Sequence, residues 1–326
     1  MANEKGIEQR IEQVRNDREH GSRWLVREAI LILRDLAQGH AESQEEQVRM
    51  LYKSAYDLAQ ARPAMAALGS AVSRVMNVQG VPRPPKGARP QGLVPARVAQ
   101  EATRLLEEYD TATERIAAHA EPLLRGHLMT CSISGTVLEV LGANRQHIER
   151  MIVLEGRPRY EGRDMARELS KLGLVVTLIT DAQADIFLPQ CQGVVVGADS
   201  VLANGDVLNK AGTALLAWAA RGHDVPFYVL CETLKISPKR WLEDPGHYAD
   251  NLALLEEKEP EEVLEQPIAG VTVRNFYFDR TPARLVSRLI TERGVLGQGE
   301  VEEIAKRTGE NERLLEDYYV RNVGGR

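Results

Sequence analysis

One continuous segment, Val194 to Leu230, constrains the fold of this chain more than any other part of it. It contains an apolar run typical of a buried strand, an acidic turn at Asp199, a loop rich in glycine and asparagine, a helical run and a second apolar run. Strands that are apolar along their whole length are typical of parallel sheets covered on both faces. Such sheets bind ligands at the carboxyl ends of their strands, which is where we expect Asp199 to lie.

The loop after Asp199 predicts an anion site. Asn209, Lys210, Gly212 and Thr213 lie where a helix is predicted to start, with unpaired backbone N–H groups. A carboxylate, a lysine and free N–H groups in one short segment would suit a phosphorylated small molecule. The alternative is structural: Asp199 caps the turn, while Asn209 and Thr213 serve only to start the helix.

The hydrophobic pattern divides the chain near residue 120. Before that point apolar residues recur at three- and four-residue spacing, which predicts amphipathic helices, interrupted by a proline- and glycine-rich loop from Gln79 to Pro95. From Leu128 onwards short apolar runs alternate with helical ones. The prediction is an α/β protein with a helical domain over 1–120, a Rossmann-like, mostly parallel sheet domain over 121–296 and a helical extension over 297–326.

Within the α/β part, individual elements can be predicted from the same pattern. Apolar runs predict strands over 127–131, 151–154, 175–179, 194–197, 226–231 and 271–273. Helical spacing predicts helices over 136–142, 162–172, 209–220 and 283–292.

Composition argues against several classes of protein. The net charge is −6 over 326 residues, so direct nucleic-acid binding is not expected. The N-terminus is too polar for a signal peptide, and no apolar run is long enough to span a membrane. The three cysteines, Cys131, Cys191 and Cys231, are widely spaced and lack partners at metal-binding spacing, which predicts reduced thiols in the cytoplasm and no metal. The dinucleotide fingerprint is missing after the first strand, so no cofactor is expected.

Further polar residues follow the predicted strands. Ser132 and Ser134 lie in a hydroxyl-rich turn that either binds phosphate or only caps the next helix. Arg157 follows the second strand and has the guanidinium geometry suited to phosphate. In the helical part, Arg23 and Arg62 are the candidate anion contacts.

The run VVVGADSVLANGDVLNKAGT resembles the central motif of the α, β and δ regulatory subunits of translation initiation factor 2B. The related methylthioribose-1-phosphate and ribose-1,5-bisphosphate isomerases share that motif. Further matches follow in order, including SISGTVLEVL from Ser132, EGRPRYEGRDMARELSKLG from Glu155 and VRNFYFDRTPARLVSRLITERGV from Val273. The resemblance covers residues 20 to 296 approximately. It implies a helical N-terminal domain and a Rossmann-like domain that mediates dimerisation.

For the isomerases, the resemblance implies an acid/base pair: an aspartate matched here by Asp199, and a cysteine in a Thr-His-Cys sequence. Aligned without a gap, Thr130 matches that threonine and Ser132 falls on the cysteine, whereas a shift of one residue places Cys131 there. A serine does not readily replace a thiol in proton transfer near neutral pH.

We therefore expect an initiation-factor-2B-like protein that binds a phosphorylated sugar or nucleotide. The alternative is an aldose–ketose isomerase of ribose 1,5-bisphosphate or methylthioribose 1-phosphate, with Asp199 and Cys131 as its catalytic residues. A third alternative is a structural subunit with a vestigial pocket.

The run from Asn275 to Asp279 bears on assembly, because it holds three aromatic residues in a chain that is only 5% aromatic. Clustered aromatic side chains form either a core or the centre of an interface. Together with the resemblance, this run predicts a homodimer or a higher homo-oligomer.

Overall fold

The computed structural model describes residues 4–17, 21–62, 65–77 and 94–323. Contacts divide these residues into two compact units. The first holds the described residues of Met1–Thr111, Ile236–Pro238 and Glu303–Arg326, and the second holds Ala112–Lys235 and Lys239–Glu302. Almost all of the proline-rich loop predicted from Gln79 to Pro95 lies outside the described residues.

Amphipathic helices build the first unit. They are α1 (Glu4–Asn16), α2 (Ser22–Gln38), α3 (Gln44–Ala59), α4 (Ala66–Met76) and α5 (Pro95–Asp110). In α2 the predicted apolar face is the buried one, since Leu25, Ile30 and Leu33 have no exposed surface. Pro95 occupies the first turn of α5, where a missing backbone N–H breaks no helical hydrogen bond.

The second unit alternates helices and strands. Its helices are α6 (Ala112–Ala120), α7 (Gly135–Ala143), α8 (Glu161–Lys171), α9 (Ala184–Phe187), α10 (Thr213–Gly222), α11 (Tyr248–Ala253) and the start of α12 (Gln298–Asn322). Its strands are β1 (Gly126–Cys131), β2 (Ile148–Leu154), β3 (Val176–Ile179), β4 (Gly193–Val196), β5 (Ser200–Val201), β6 (Val207–Lys210), β7 (Phe227–Leu230), β8 (Phe278–Thr281), β9 (Arg288–Thr291) and β10 (Gly294–Leu296).

Seven of these strands form one sheet in the order β10-β9-β7-β4-β1-β2-β3. All neighbours pair in parallel except β9 with β10. β4 and β7 are buried along their whole length, and the core of the sheet includes Leu128, Val153 and Val195. The predicted α/β class with a mostly parallel sheet is confirmed. No helix in the described ranges is long and apolar enough to cross a membrane.

The strand order locates a crevice. From β1 the chain moves outward in one direction through β2 and β3, and it then returns to place β4 on the other side of β1. Parallel sheets open between two such strands at their carboxyl ends, because the connections leave in opposite directions. β5, β6 and β8 form a separate antiparallel sheet, and β5 begins only a few residues after β4.

Two predictions near the C-terminal part of this unit are wrong. The segment 271–273, predicted as a strand, has no regular secondary structure. The helix predicted over 283–292 is instead a single 3-10 turn followed by β9, which pairs with β7 through buried Leu289 and Ile290. Gly294, at φ 111°, then turns the chain back into β10. Pairing with a distant strand outweighs the local helical spacing.

The helix predicted from residue 209 also starts later than expected. Asn209 and Lys210 are the last residues of β6, where they pair with Asp279 and Phe278 of β8. α10 begins only at Thr213. The two polar residues are therefore held by sheet pairing and do not belong to the start of a helix.

Candidate functional site

The candidate site lies in the crevice between β1 and β4. Two loops line it: one leads from β1 to α7 and carries Ser132 and Ser134, and the other follows β4 and carries Asp199. They touch at Gly197, where an added Cβ atom would lie 2.8 Å from Oγ of Ser134. Only glycine allows so close an approach. Ser134 also caps α7, because its Oγ accepts a hydrogen bond from the N–H of Val137 at 3.4 Å.

Asp199 is the acidic residue of the loop that follows β4 in this crevice. Its backbone N–H donates to the carbonyl of Leu208 at 2.9 Å, and its side chain is partly buried. Among the described residues no hydrogen bond reaches its carboxylate. Burial raises the pKa of the Asp199 carboxyl above its usual value, although the ammonium groups of Lys235 and Lys210 oppose the shift. A carboxyl group with a raised pKa is suited to exchanging a proton with a ligand.

A buried lysine, Lys235, holds the backbone next to Asp199 in place. Nζ of Lys235 donates to the carbonyl of Ala198 at 2.6 Å and lies 4.0 Å from Oε2 of Glu232. The other oxygen of Glu232 accepts a hydrogen bond from Thr136 at 2.7 Å. Lys235 thus fixes the residue directly before Asp199, while Glu232 balances its buried charge. The sequence pattern did not single out either residue, although both follow an apolar strand, as Asp199 does.

Cys131 is the last residue of β1, and Ser132 follows it. Sγ of Cys131 lies 3.5 Å from Oγ1 of Thr213, and burial raises the pKa of the thiol to about 12. At neutral pH this thiol is protonated, so it can donate a proton but cannot act as a base. Ser132 is partly buried and adopts φ 61°, in the left-handed region. Of the Cys131 and Asp199 side chains, Asp199 is therefore the better proton acceptor.

Asn209, Lys210 and Thr213 form one hydrogen-bonded cluster. Nδ2 of Asn209 donates to the hydroxyl of Thr213 at 3.0 Å, and that hydroxyl donates to the carbonyl of Lys210 at 2.6 Å. Nζ of Lys210 lies 2.7 Å from Oε1 of Glu161 and 4.1 Å from the centre of the Tyr277 ring. The structure thus links Lys210 to Cys131 through Thr213, and to Asp199 through its charge.

The start of α10 is not open to an anion, contrary to the expectation from sequence. The carboxylate of Asp279 accepts hydrogen bonds from the N–H groups of Gly212 at 2.7 Å and Ala214 at 3.1 Å. This negatively charged group also complements the positive end of the helix dipole. The N–H groups that were expected to hold phosphate are therefore already bonded within the chain.

Asp279 makes the stability of the fold depend on pH. Burial raises the pKa of this carboxyl from 3.8 to about 6, against the lowering effect of its two backbone hydrogen bonds. The folded chain therefore keeps this proton at pH values where the unfolded chain has lost it, so the contribution of Asp279 to the free energy of unfolding falls as pH rises from about 4 to about 6.

We expect Asp279→Asn to remove this part of the pH dependence, since asparagine keeps an oxygen for the N–H groups but cannot ionise. Urea unfolding of both proteins across that pH range measures the difference. Asp185→Asn, at an exposed side chain, is the control. An unchanged pH profile for Asp279→Asn would show that another group is responsible.

Arg157 lies at the same edge of the sheet, in the loop after β2. Its side chain is exposed and donates to the carbonyl of Val263 and the hydroxyl of Tyr160, both at 3.2 Å. Asp181, which follows β3, orders this loop by accepting hydrogen bonds from the N–H groups of Gly156 at 2.9 Å and Arg157 at 2.8 Å. The β2 loop is thus built to present an exposed guanidinium group.

Arg23 and Arg62, the two predicted anion contacts from the helical part, lie in the first unit. Arg23 begins α2 and donates to the carbonyl of Asp110 at 3.4 Å. Arg62 follows α3 and donates to the carbonyl of Asp17 at 3.0 Å. Their role as phosphate ligands stays a prediction. Within the ranges that the structure describes, no group of three histidine, cysteine or acidic side chains could hold a metal ion.

Comparisons with known proteins agree on one family. The model described as the initiation factor 2 subunit family matches residues 18–298. The ribose 1,5-bisphosphate isomerase of Archaeoglobus fulgidus is 31% identical over 292 residues, which are 87% of this chain and 88% of the relative. A putative translation initiation factor eIF-2B subunit 2-like protein of Pyrococcus abyssi is 31% identical over 291 residues, which are 88% of this chain and 94% of the relative.

Among solved structures, 5-methylthioribose 1-phosphate isomerase from Pyrococcus horikoshii OT3 matches with a TM-score of 0.70 and 27% sequence identity. The match covers 93% of this chain and 87% of that structure. Similarity therefore extends through both the helical and the α/β part.

Proposed function

This chain belongs to the initiation factor 2 subunit family, and we propose that it is an initiation-factor-2B-like protein that binds a phosphorylated sugar or nucleotide. The ligand would lie in the crevice between β1 and β4. The observation that carries this proposal is the hydrogen bond from the Asp199 N–H to the carbonyl of Leu208 at 2.9 Å, which joins Asp199 to β6 two residues before Lys210, at the point where the strand order reverses. Lys210 would bind the phosphate, and Asp199 would accept a hydrogen bond from a sugar hydroxyl.

A second candidate is catalysis in the same crevice, namely isomerisation of a sugar 1-phosphate such as ribose 1,5-bisphosphate or methylthioribose 1-phosphate. The raised pKa of Asp199 favours it, as do relatives that are named isomerases of these two compounds. Conversion of the aldose to the ketose breaks the bond between C1 and the ring oxygen, moves the hydrogen on C2 to C1 and transfers the proton of the C2 hydroxyl to the ring oxygen, leaving a carbonyl at C2. Asp199 would exchange protons with the sugar, and the Cys131 thiol would serve only as a donor.

Calorimetry with ribose 1,5-bisphosphate and with AMP, together with an assay for ketose product, tests both candidates. Binding without turnover supports the first. Turnover that Cys131→Ser abolishes would establish an isomerase that uses the thiol and would overturn a purely binding function. No heat with either compound would favour a structural subunit.

We further propose that the chain forms a homodimer through its second unit and resides in the cytoplasm. Leu215 and Trp218 of α10 are 76% and 49% exposed, an apolar surface that a second copy could cover. Phe276 and Phe278 pack against the small core around Leu208, so part of the aromatic run serves that core. Light scattering that returns only a monomer would contradict the dimer.

All three cysteines are unpaired, which fits the proposed location in the cytoplasm, a reducing compartment.

A further inference from the structure

The ammonium group of Lys210, the proposed phosphate ligand, is already paired with a carboxylate. Its Nζ lies 2.7 Å from Oε1 of Glu161, and the lysine side chain is only 8% exposed. Attraction between two charges is stronger at such a buried position, where the dielectric constant is low, than at the solvent-exposed surface. The Tyr277 ring covers the same ammonium group at 4.1 Å. A phosphate group that binds this lysine closely therefore competes with the Glu161 carboxylate for the same ammonium group.

The Glu161 carboxylate is incompletely bonded where it lies. Its second oxygen, Oε2, is buried and accepts no hydrogen bond from any described residue. The loop at Gly156 packs beside it, since an added Cβ atom there would lie 3.5 Å from Oε2. A buried acceptor without a donor is unfavourable. Glu161 is thus a weaker partner for Lys210 than a carboxylate with both oxygens bonded.

The backbone at Glu161 is held in place by packing, whereas its side chain can rotate towards solvent. An added Cβ atom at Gly162 would overlap the carbonyl group of Leu154, so the start of α8 is packed directly on β2. The Glu161 side chain is 24% exposed and therefore reaches solvent. The Glu161 carboxylate can therefore leave Lys210 by rotation of its own side chain, without a shift of α8.

The other cations near Tyr277 have carboxylate partners besides Glu161, whose charge also acts on Arg159. Arg159 lies 3.9 Å from Glu262, which also accepts a hydrogen bond from the Tyr277 hydroxyl at 2.6 Å. Lys258 lies 2.9 Å from Glu256. When Glu161 turns away, the positive charge of Lys210 is left uncompensated within this cluster, and an incoming phosphate matches it.

We propose that Glu161 is a built-in competitor for the ligand's phosphate group: binding exchanges the Lys210–Glu161 pair for a Lys210–phosphate pair, and the Glu161 side chain turns towards solvent. This inference rests on the proposed function and adds a requirement to it, namely that the ligand must carry a phosphate group. A phosphate ester replaces the lost carboxylate with a negative charge of its own, whereas a neutral sugar brings nothing to replace it. The site therefore rejects sugars that lack phosphate.

Glu161→Gln tests this exchange, because glutamine keeps the shape and removes the competing charge. We expect the variant to bind ribose 1,5-bisphosphate about tenfold more tightly than the wild type in calorimetry, as expected when a charged competitor is lost. Lys210→Met should lower affinity by about tenfold or more. In the Lys210→Met background, Glu161→Gln should bring no gain, since the two changes act on one interaction.

Glu168→Gln is the matched control. It lies on the same helix, and its carboxylate pairs with the exposed Lys171 at 2.7 Å, so its removal should leave affinity unchanged. Because Glu161→Gln leaves Lys210 buried without a partner and can impair folding, Glu161→Asp is a second test. The shorter side chain weakens the pair without removing its charge, and we expect a smaller gain in the same direction.

The outcomes separate this inference from the proposed function. Wild-type binding together with equal or weaker binding by both Glu161 variants would overturn the inference and leave the proposed function standing. Absence of binding by the wild type and by every variant would overturn both.

Discussion

If the second candidate function holds, replacing Asp199 with asparagine is expected to lower turnover on ribose 1,5-bisphosphate by about 10²- to 10⁴-fold, the range typical for loss of a general acid or base. Asparagine has nearly the same shape but cannot exchange a proton. Affinity should change little, because the positive charge of Lys210 stays in place. Steady-state kinetics and calorimetry on the same preparation measure the two quantities.

Asp185→Asn is the control for this variant, since it makes the same chemical change at an exposed side chain of the same unit. If Asp199→Asn kept its turnover, proton exchange would have to come from another group. If it lost affinity and turnover in parallel, Asp199 would be a binding residue only. Either result would contradict the assigned acid/base role.

The network behind Asp199 explains why this carboxyl is suited to that role. Lys235 fixes Ala198 and contributes a positive charge that opposes the effect of burial on the pKa of Asp199. Glu232 and Thr136 hold that lysine in turn. The pKa of Asp199 thus depends on its burial and on Lys235, which follows β7, while Glu232 and Thr136 keep that lysine in place.

Local patterns were enough to predict five of the seven strands of the main sheet, because buried parallel strands are apolar runs that need no knowledge of their partners. Five of the strands predicted in this way correspond to β1, β2, β3, β4 and β7. Where pairing with a distant strand determines the secondary structure, the local pattern gave the wrong prediction. Residues 288–291 have a spacing compatible with a helix and become a strand because β7 is available for pairing.

The same distinction applies to the site. Asp199 could be placed from sequence because it follows directly on an apolar strand. Lys210 could be recognised as a cation, but its pairing with Glu161, 49 positions away, could not be predicted. The cap that Asp279 makes on α10 likewise joins segments that are distant in sequence. The protonated state of Cys131 depends on burial, which only the folded chain defines.

Gly162→Ala is expected to destabilise the fold by about 3 kcal/mol or more, at the upper end of the effects of overpacking. The added Cβ atom would overlap the carbonyl oxygen of Leu154 and lie 2.8 Å from its carbonyl carbon. Both obstacles are backbone atoms of β2, so no side-chain rotation can relieve the overlap. Urea unfolding followed by circular dichroism measures the change in the free energy of unfolding.

Gly222→Ala is the matched control, because it lies at the end of α10 with no neighbouring atom within 4 Å of the added Cβ. It should stay within about 1 kcal/mol of the wild type. A stable, wild-type-like Gly162→Ala protein would mean that α8 can move away from β2. In that case the start of α8 would not be fixed, and Glu161 could leave Lys210 by movement of the helix as well as by rotation of its own side chain.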